Sequence, residues 1–174
     1  MKTKNIIIIT YNWPPRNTIG TFRPYSWAIE WAKNNTQVTV ITSEKQNFDA
    51  PLDLKLKIPQ NIEVLEILLK KKNYFNKILK FNKLKIIARN IKRNFNKLGI
   101  YNIDLRQAWV KNSEPYLENI SKRADIIIST SGPPSVHYIA NKLKILNPNI
   151  FWVADYRDLW SQNHAVDLPD NIRK

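Results

Sequence analysis

Residues Ile6 to Thr21 constrain this chain most: four consecutive isoleucines and Thr10, then Tyr-Asn-Trp-Pro-Pro-Arg-Asn-Thr-Ile-Gly-Thr. A short all-apolar, β-branched run of that kind is a strand buried on both faces, as in a parallel α/β sheet. Pro14 and Pro15 then keep the chain out of helix, and a helical pattern resumes only after Gly20. The first strand is therefore followed by a long, stiff, polar loop at its carboxyl end. In open α/β sheets ligands bind there.

With 174 residues the chain has room for one α/β domain with a real core. It contains no cysteine, which excludes disulfides and thiolate metal sites and is compatible with a reducing compartment. Four isoleucines behind Met-Lys-Thr-Lys-Asn are too few for a signal-peptide core or a spanning helix, so the sequence reads as cytoplasmic. The net charge of +14 is concentrated in one place. Between Ile67 and Ile103 there are 11 basic residues and no acid, whereas the remainder carries 17 basic against 14 acidic residues.

The periodicity predicts strands at Asn5–Thr10, Gln37–Thr42, Ile62–Ile67, Asp125–Thr130 and Ile150–Ala154. Helices are predicted at about Pro24–Asn35, Tyr74–Leu98, Val110–Arg123 and Ser135–Leu146, with Gly99 and Pro148 as stops. Strands alternating with helices give a Rossmann-like, doubly wound parallel sheet with flanking helices, ordered 3-2-1-4-5. In that order strand one and the Asp125–Thr130 strand are neighbours at the switch point. The loops Tyr11–Gly20 and Ser131–Ser135 then face each other across a crevice, joined by the segment after Asp155.

Only Gly20, Gly99 and Gly132 are glycine, so G-x-G-x-x-G and G-x-x-x-x-G-K are both absent. Their absence argues against a nicotinamide dehydrogenase or a P-loop nucleotidase. Gly20 precedes a helix whose N-terminus attracts anions, with Arg16 and Arg23 flanking it; the same glycine also serves simply to let the chain turn into the helix. In Ser131-Gly132-Pro133-Pro134-Ser135, Ser135 suits a helix N-cap. His137 falls in the first turn of the following helix, where the dipole keeps it neutral, or it is a plain surface histidine. Asp155, Arg157 and Asp158 end a buried strand and must pair or meet a ligand. Arg157 clamped between the two carboxylates is one solution; a carboxylate kept for sugar hydroxyls or a proton is another. Trp160 and Trp13 offer flat apolar surfaces of the kind sugars pack on. Two histidines without H-E-x-x-H spacing argue against a metal site.

The basic segment carries an apolar stripe, Tyr74, Ile78, Phe81, Leu84, Ala88, Ile91, Phe95 and Leu98, at helical spacing. Lys77, Lys80, Lys85, Arg89, Lys92 and Arg93 fill much of the remainder. A solvated face is one reading. A helix lying on anionic lipid, with each cation contributing about 1 kcal/mol, is the other. No motif for specific nucleic-acid binding accompanies the charge.

Ile-Ile-Thr-Tyr-Asn-Trp-Pro-Pro-Arg-Asn-Thr-Ile-Gly, the Gln37–Thr42 strand, Ser-Gly-Pro-Pro-Ser-Val-His and Ala-Asp-Tyr-Arg-Asp-Leu-Trp together resemble the N-terminal domain of GT-B, family 4-like glycosyltransferases, from about Asn5 to His164. The resemblance implies one half of a GT-B enzyme. It would move a sugar from a nucleotide-sugar to a glycan or lipid-linked acceptor in cell-envelope polysaccharide synthesis, with retention and without metal or other cofactor. It further implies that Gly20 approaches the donor diphosphate and that Arg157 or Asp158 sits beside the reacting centre. The candidate substrate-binding set is Asn12, Arg16, Gly20, Arg23, Ser131, Ser135, His137, Asp155 and Trp160. The family differs in two places: many members pair glycines where Ile19 precedes Gly20, and several have histidine where Arg157 stands. The donor-binding domain would lie beyond Lys174. The chain is thus expected to be one Rossmann-like acceptor-side domain with a basic insert at about 70–98. It would sit at the inner face of the plasma membrane and be inactive alone. The rival expectation is a non-enzymatic module that docks on anionic membrane or polyanion through the basic helix.

Overall fold

The computed structural model describes residues 4–34, 36–47, 50–69 and 106–157. Five strands form one all-parallel sheet: β1 (Asn5–Thr10), β2 (Gln37–Ser43), β3 (Ile62–Ile67), β4 (Ile126–Thr130) and β5 (Phe151–Asp155). The order is β3-β2-β1-β4-β5, as the strand–helix alternation requires. The helices are α1 (Ile19–Lys33), α2 (Gln107–Arg123) and α3 (Ser135–Leu146). The long helix expected over Tyr74–Leu98 lies outside the described residues.

The isoleucine run explains the centre of the sheet. Ile6 and Ile8 project to one face, where they join Val38, Val40 and Ile128 beneath Ala28 and Ala32 of α1. Ile7 and Ile9 project to the other, into a cluster with Ile41, Ile127, Trp109 and Leu117 of α2, and Ile139 and Leu143 of α3. A strand covered on both sides has no polar face to keep, hence the unbroken apolar run. Register is tight: Ile8 lies between Val40 and Ile128. Strand β5, at the edge, differs, with Phe151 about 65% exposed and Val153 also open.

Strands β2, β4 and β5 begin or end one residue from where expected and α1 stops at Lys33, while two helix starts and one cap depart in ways that the chemistry explains. Helix α1 begins at Ile19 and takes Pro24 inside it. Proline's fixed φ is helical, so Pro24 is tolerated where only one backbone bond is lost. Helix α2 begins at Gln107, three residues before the expected Val110, because Trp109 is drawn into the core. Ser135 is the first residue of α3 and not its cap; that position belongs to Pro134, and no side-chain cap bond forms.

Candidate functional site

The carboxyl ends of β1, β4 and β5 meet at the switch point, and three side chains cross the crevice between them. Chain direction is set by Thr10, whose hydroxyl donates to the Asn12 carbonyl at 3.0 Å. Asn12 then reaches the Gly132 carbonyl in the opposite loop with its amide, Nδ2 to O at 3.5 Å. Gly132 has φ +93°, the left-handed region that glycine occupies without penalty. Arg23 of α1 spans to Asp155, its Nη1 lying 3.2 Å from both carboxylate oxygens. Arg157 reaches back to α1, donating from Nη2 to the Gly20 carbonyl at 2.8 Å and from Nε to Thr130 Oγ1 at 3.2 Å. The Thr130 hydroxyl passes its own proton to Asp155 Oδ2 at 2.7 Å. Ser131 belongs to the same wall: its N–H donates to the Asp155 carbonyl, and its Oγ lies 3.4 Å from the Arg157 N–H.

The Gly20 carbonyl is available to Arg157 because of the sequence four residues on. An α-helix would give this oxygen the N–H of residue 24, and that residue is proline. Absence of a side chain at Gly20 is needed too. A Cβ there would lie 2.6 Å from Arg157 Nη1 and 2.7 Å from Asn12 Nδ2.

His137 is about 7% exposed, so the surface reading is corrected. Its Nδ1 lies 2.8 Å from Ser129 Oγ, which accepts the Trp152 indole N–H at 2.9 Å. Ser129 Oγ thus bridges the Trp152 indole and the His137 imidazole. Nε2 is buried and has no hydrogen-bond partner among the described residues. The ring packs on Tyr156, centroids 4.4 Å apart. Burial holds its pKa below the usual histidine value, and the Asp155 charge opposes this in part. Burial, not the helix dipole invoked from sequence, is the larger cause.

Other expectations are also revised. Asp155 is engaged by Arg23 and Thr130, and the Asp158 side of the expected Arg157 clamp lies outside the described residues. Arg16 does not flank the Gly20 backbone with its charge: its guanidinium sits 4.0 Å from the centre of the Tyr11 ring, buried on the α2 side. Trp13 is a core residue, about 1% exposed and packed on Tyr25, and presents no platform. Asp158, Trp160 and the basic residues Lys77, Lys80, Lys85, Arg89, Lys92 and Arg93 lie outside the described residues. Sequence reasoning passed over Ser129, Thr130, Trp152 and Tyr156. Two hydroxyls closing the all-apolar run Ile126–Ile128 were the available signal.

Beside the crevice an open cleft of about 530 Å³ runs between α1 and β5, lined by Trp27, Trp31, Val153, Asp155 and Tyr156. Among the described residues no group of three or more His, Asp or Glu side chains converges as a metal site would require. Among them, too, no helix is long and apolar enough to cross a membrane.

No protein-family model matches the chain, and no curated protein matches it. Among solved structures, the C-terminal domain of a hydrogenase from Pyrococcus furiosus matches at TM-score 0.36 and 13% identity, covering 89% of this chain and 93% of that one. That likeness is too slight to bear on function.

Proposed function

We propose that this chain is the acceptor-side half of a metal-independent, retaining glycosyltransferase. It would serve transfer from a nucleotide-sugar to a glycan or lipid-linked acceptor in cell-envelope polysaccharide synthesis. The observation that carries the reading is the meeting of Gly20 and Arg157 across the switch-point crevice, within the two segments that resemble that family. Arg157 is oriented by the Gly20 carbonyl and Thr130 before any ligand arrives. A preoriented guanidinium beside a helix N-terminus suits the negative charge that builds on a departing diphosphate. Asn12, Ser131 and His137 line the approach from the β4 side and are assigned to the acceptor, with Asp155 holding Arg23 in place. The donor would be bound by a second domain closing over this crevice, so the chain alone transfers nothing.

The experiment is a transfer assay on the protein at its native length, with a panel of labelled nucleotide-sugars and membrane lipid extract as acceptor. Label should enter the lipid or glycan fraction, and Arg157→Ala should lower the rate by roughly 10²–10³-fold. Failure of every nucleotide-sugar, or full activity of Arg157→Ala, overturns the reading.

A second reading rests on the acid-free run Lys70–Lys97: a module that docks on anionic membrane without catalysis. It gains ground if neutralising that run removes every measurable property while Arg157→Ala removes none.

A further inference from the structure

A second polar cluster occupies the carboxyl ends of β1 and β2, on the α2 side of the sheet. Ile9 pairs with Ile41, and both pack with Tyr11 and Trp109 of α2; Ser43, two residues beyond Ile41 at the end of β2, falls on the same face by strand alternation. The Tyr11 ring meets Trp109 edge to face at 5.8 Å. Two guanidiniums lie on the same ring, Arg16 at 4.0 Å and Arg106 at 4.5 Å. Lys45 completes the group with a side chain about 7% exposed, paired to Glu66 at 3.3 Å. Its other protons go to Thr42 Oγ1 and the Ser43 carbonyl, so what Lys45 contributes is charge.

Two groups in this cluster have no hydrogen-bond partner among the described residues: the Trp109 indole Nε1 and Ser43 Oγ, each on a residue with no exposed surface. An indole N–H can only donate, so a molecule that satisfies it must bring an acceptor. Helix α2 also starts here, with no acid in its first turn and no side-chain cap, which adds the positive end of its dipole. Arg106 is half-buried and Glu66 is 46% exposed, so approach is from their side. We propose that this cluster is a binding site for a small oxyanion, phosphate or carboxylate, whose oxygens accept from Trp109 Nε1 and Ser43 Oγ among the charges of Arg16, Arg106 and Lys45. The Lys45 pKa is lowered to about 8, chiefly by burial; the Glu66 charge and hydrogen bond oppose this, and the Arg16 charge adds a smaller lowering that marks the two cations as neighbours. The site does not depend on the glycosyltransferase reading, since neither Gly20 nor Arg157 belongs to it.

The test uses the ¹⁵N-labelled chain and its indole N–H resonances, with Trp109→Phe identifying the Trp109 peak. Inorganic phosphate and malonate are titrated separately at constant ionic strength, with chloride as control. The Trp109 indole peak should move saturably, and Ser43→Ala, which removes one hydrogen bond to the anion, and Lys45→Met, which removes a neighbouring charge, should each weaken binding by about tenfold. Saturation by phosphate alone assigns a phosphate group, and by malonate alone a carboxylate. A Trp109 peak that responds to neither anion, or responds equally to chloride, overturns the site. So does unchanged affinity in both Ser43→Ala and Lys45→Met, a result that stays readable if Trp109→Phe fails to fold.

Discussion

Arg157 and Arg23 both cross the crevice, but they meet different chemistry. Arg23 finds the Asp155 carboxylate, and the contacts of Arg157 across the crevice include the Gly20 carbonyl and the Thr130 hydroxyl. The Arg157 contact depends on Gly20. Gly20→Ala would place a methyl 2.6 Å from Arg157 Nη1, and the side chain must withdraw. Alanine is the better helix former by up to about 1 kcal/mol, so stability should hold or rise slightly, while the transfer proposed above should fall at least tenfold. Melting and rate measured on one preparation check this, and a rate unchanged in Gly20→Ala would sink the positioning role. His137 gives a prediction in pH. Its folded pKa lies below that of the unfolded chain, so between the two values the unfolded state binds a proton that the folded state does not. Stability contributed by the neutral ring is full above about pH 6.5 and is lost as the pH falls toward the folded value. Thermal melts at pH 5 and 7.5 should show this loss, and His137→Asn should shrink the difference. Lys45 titrates with the same sign in alkali. Its folded pKa of about 8 lies below the ordinary 10.5, so stability should rise as the pH climbs between those values. Lys45→Met should flatten that rise.

At the scale of elements, Pro24 does the most with the least. By withholding one N–H it releases the Gly20 carbonyl, and α1 continues regardless. Pro24→Ala should restore the intrahelical bond, raise stability by about 1 kcal/mol and set up competition for the oxygen that Arg157 uses. The expected signature is a higher melting temperature together with slower transfer; a faster enzyme would refute the competition. Strands were legible in the sequence because burial on two faces leaves no choice of composition, as at Ile6–Ile9 and Ile126–Ile128. Their order followed from parallel alternation. Helix starts were less legible because none of the three carries a side-chain cap bond. Ser135 has the composition of a cap and the position of a first-turn residue, since Gly132 and the two prolines complete the turn before it. Of the site, the loops and Gly20, Asp155 and Arg157 were legible from their place at strand ends. Their pairing was not: Arg23 lies 132 residues from Asp155, and nothing local distinguishes it from Asp158 as the claimant on its neighbours.

For the whole molecule, the decisive property is where the charge sits. Outside Lys70–Lys97 the chain is near balance, so electrostatic attraction to any surface must come through that run. Anionic vesicles, nucleic acid and a soluble acceptor would respond to it differently. Each lysine or arginine near a lipid surface contributes about 1 kcal/mol, so exchanging Lys77, Lys80, Lys85, Arg89, Lys92 and Arg93 for glutamine should weaken binding to phosphatidylserine vesicles by at least about a hundredfold. Vesicle flotation against lipid composition measures this, and neutral vesicles should bind neither form. Arg157→Ala should leave flotation untouched, because the crevice is not where the charge lies. If single-stranded RNA competes the chain off vesicles, and its binding falls steeply with salt, the run is a polyanion site and membrane docking is refuted. If vesicle binding survives RNA and fails only with the glutamine set, the basic run is what holds the molecule at the bilayer.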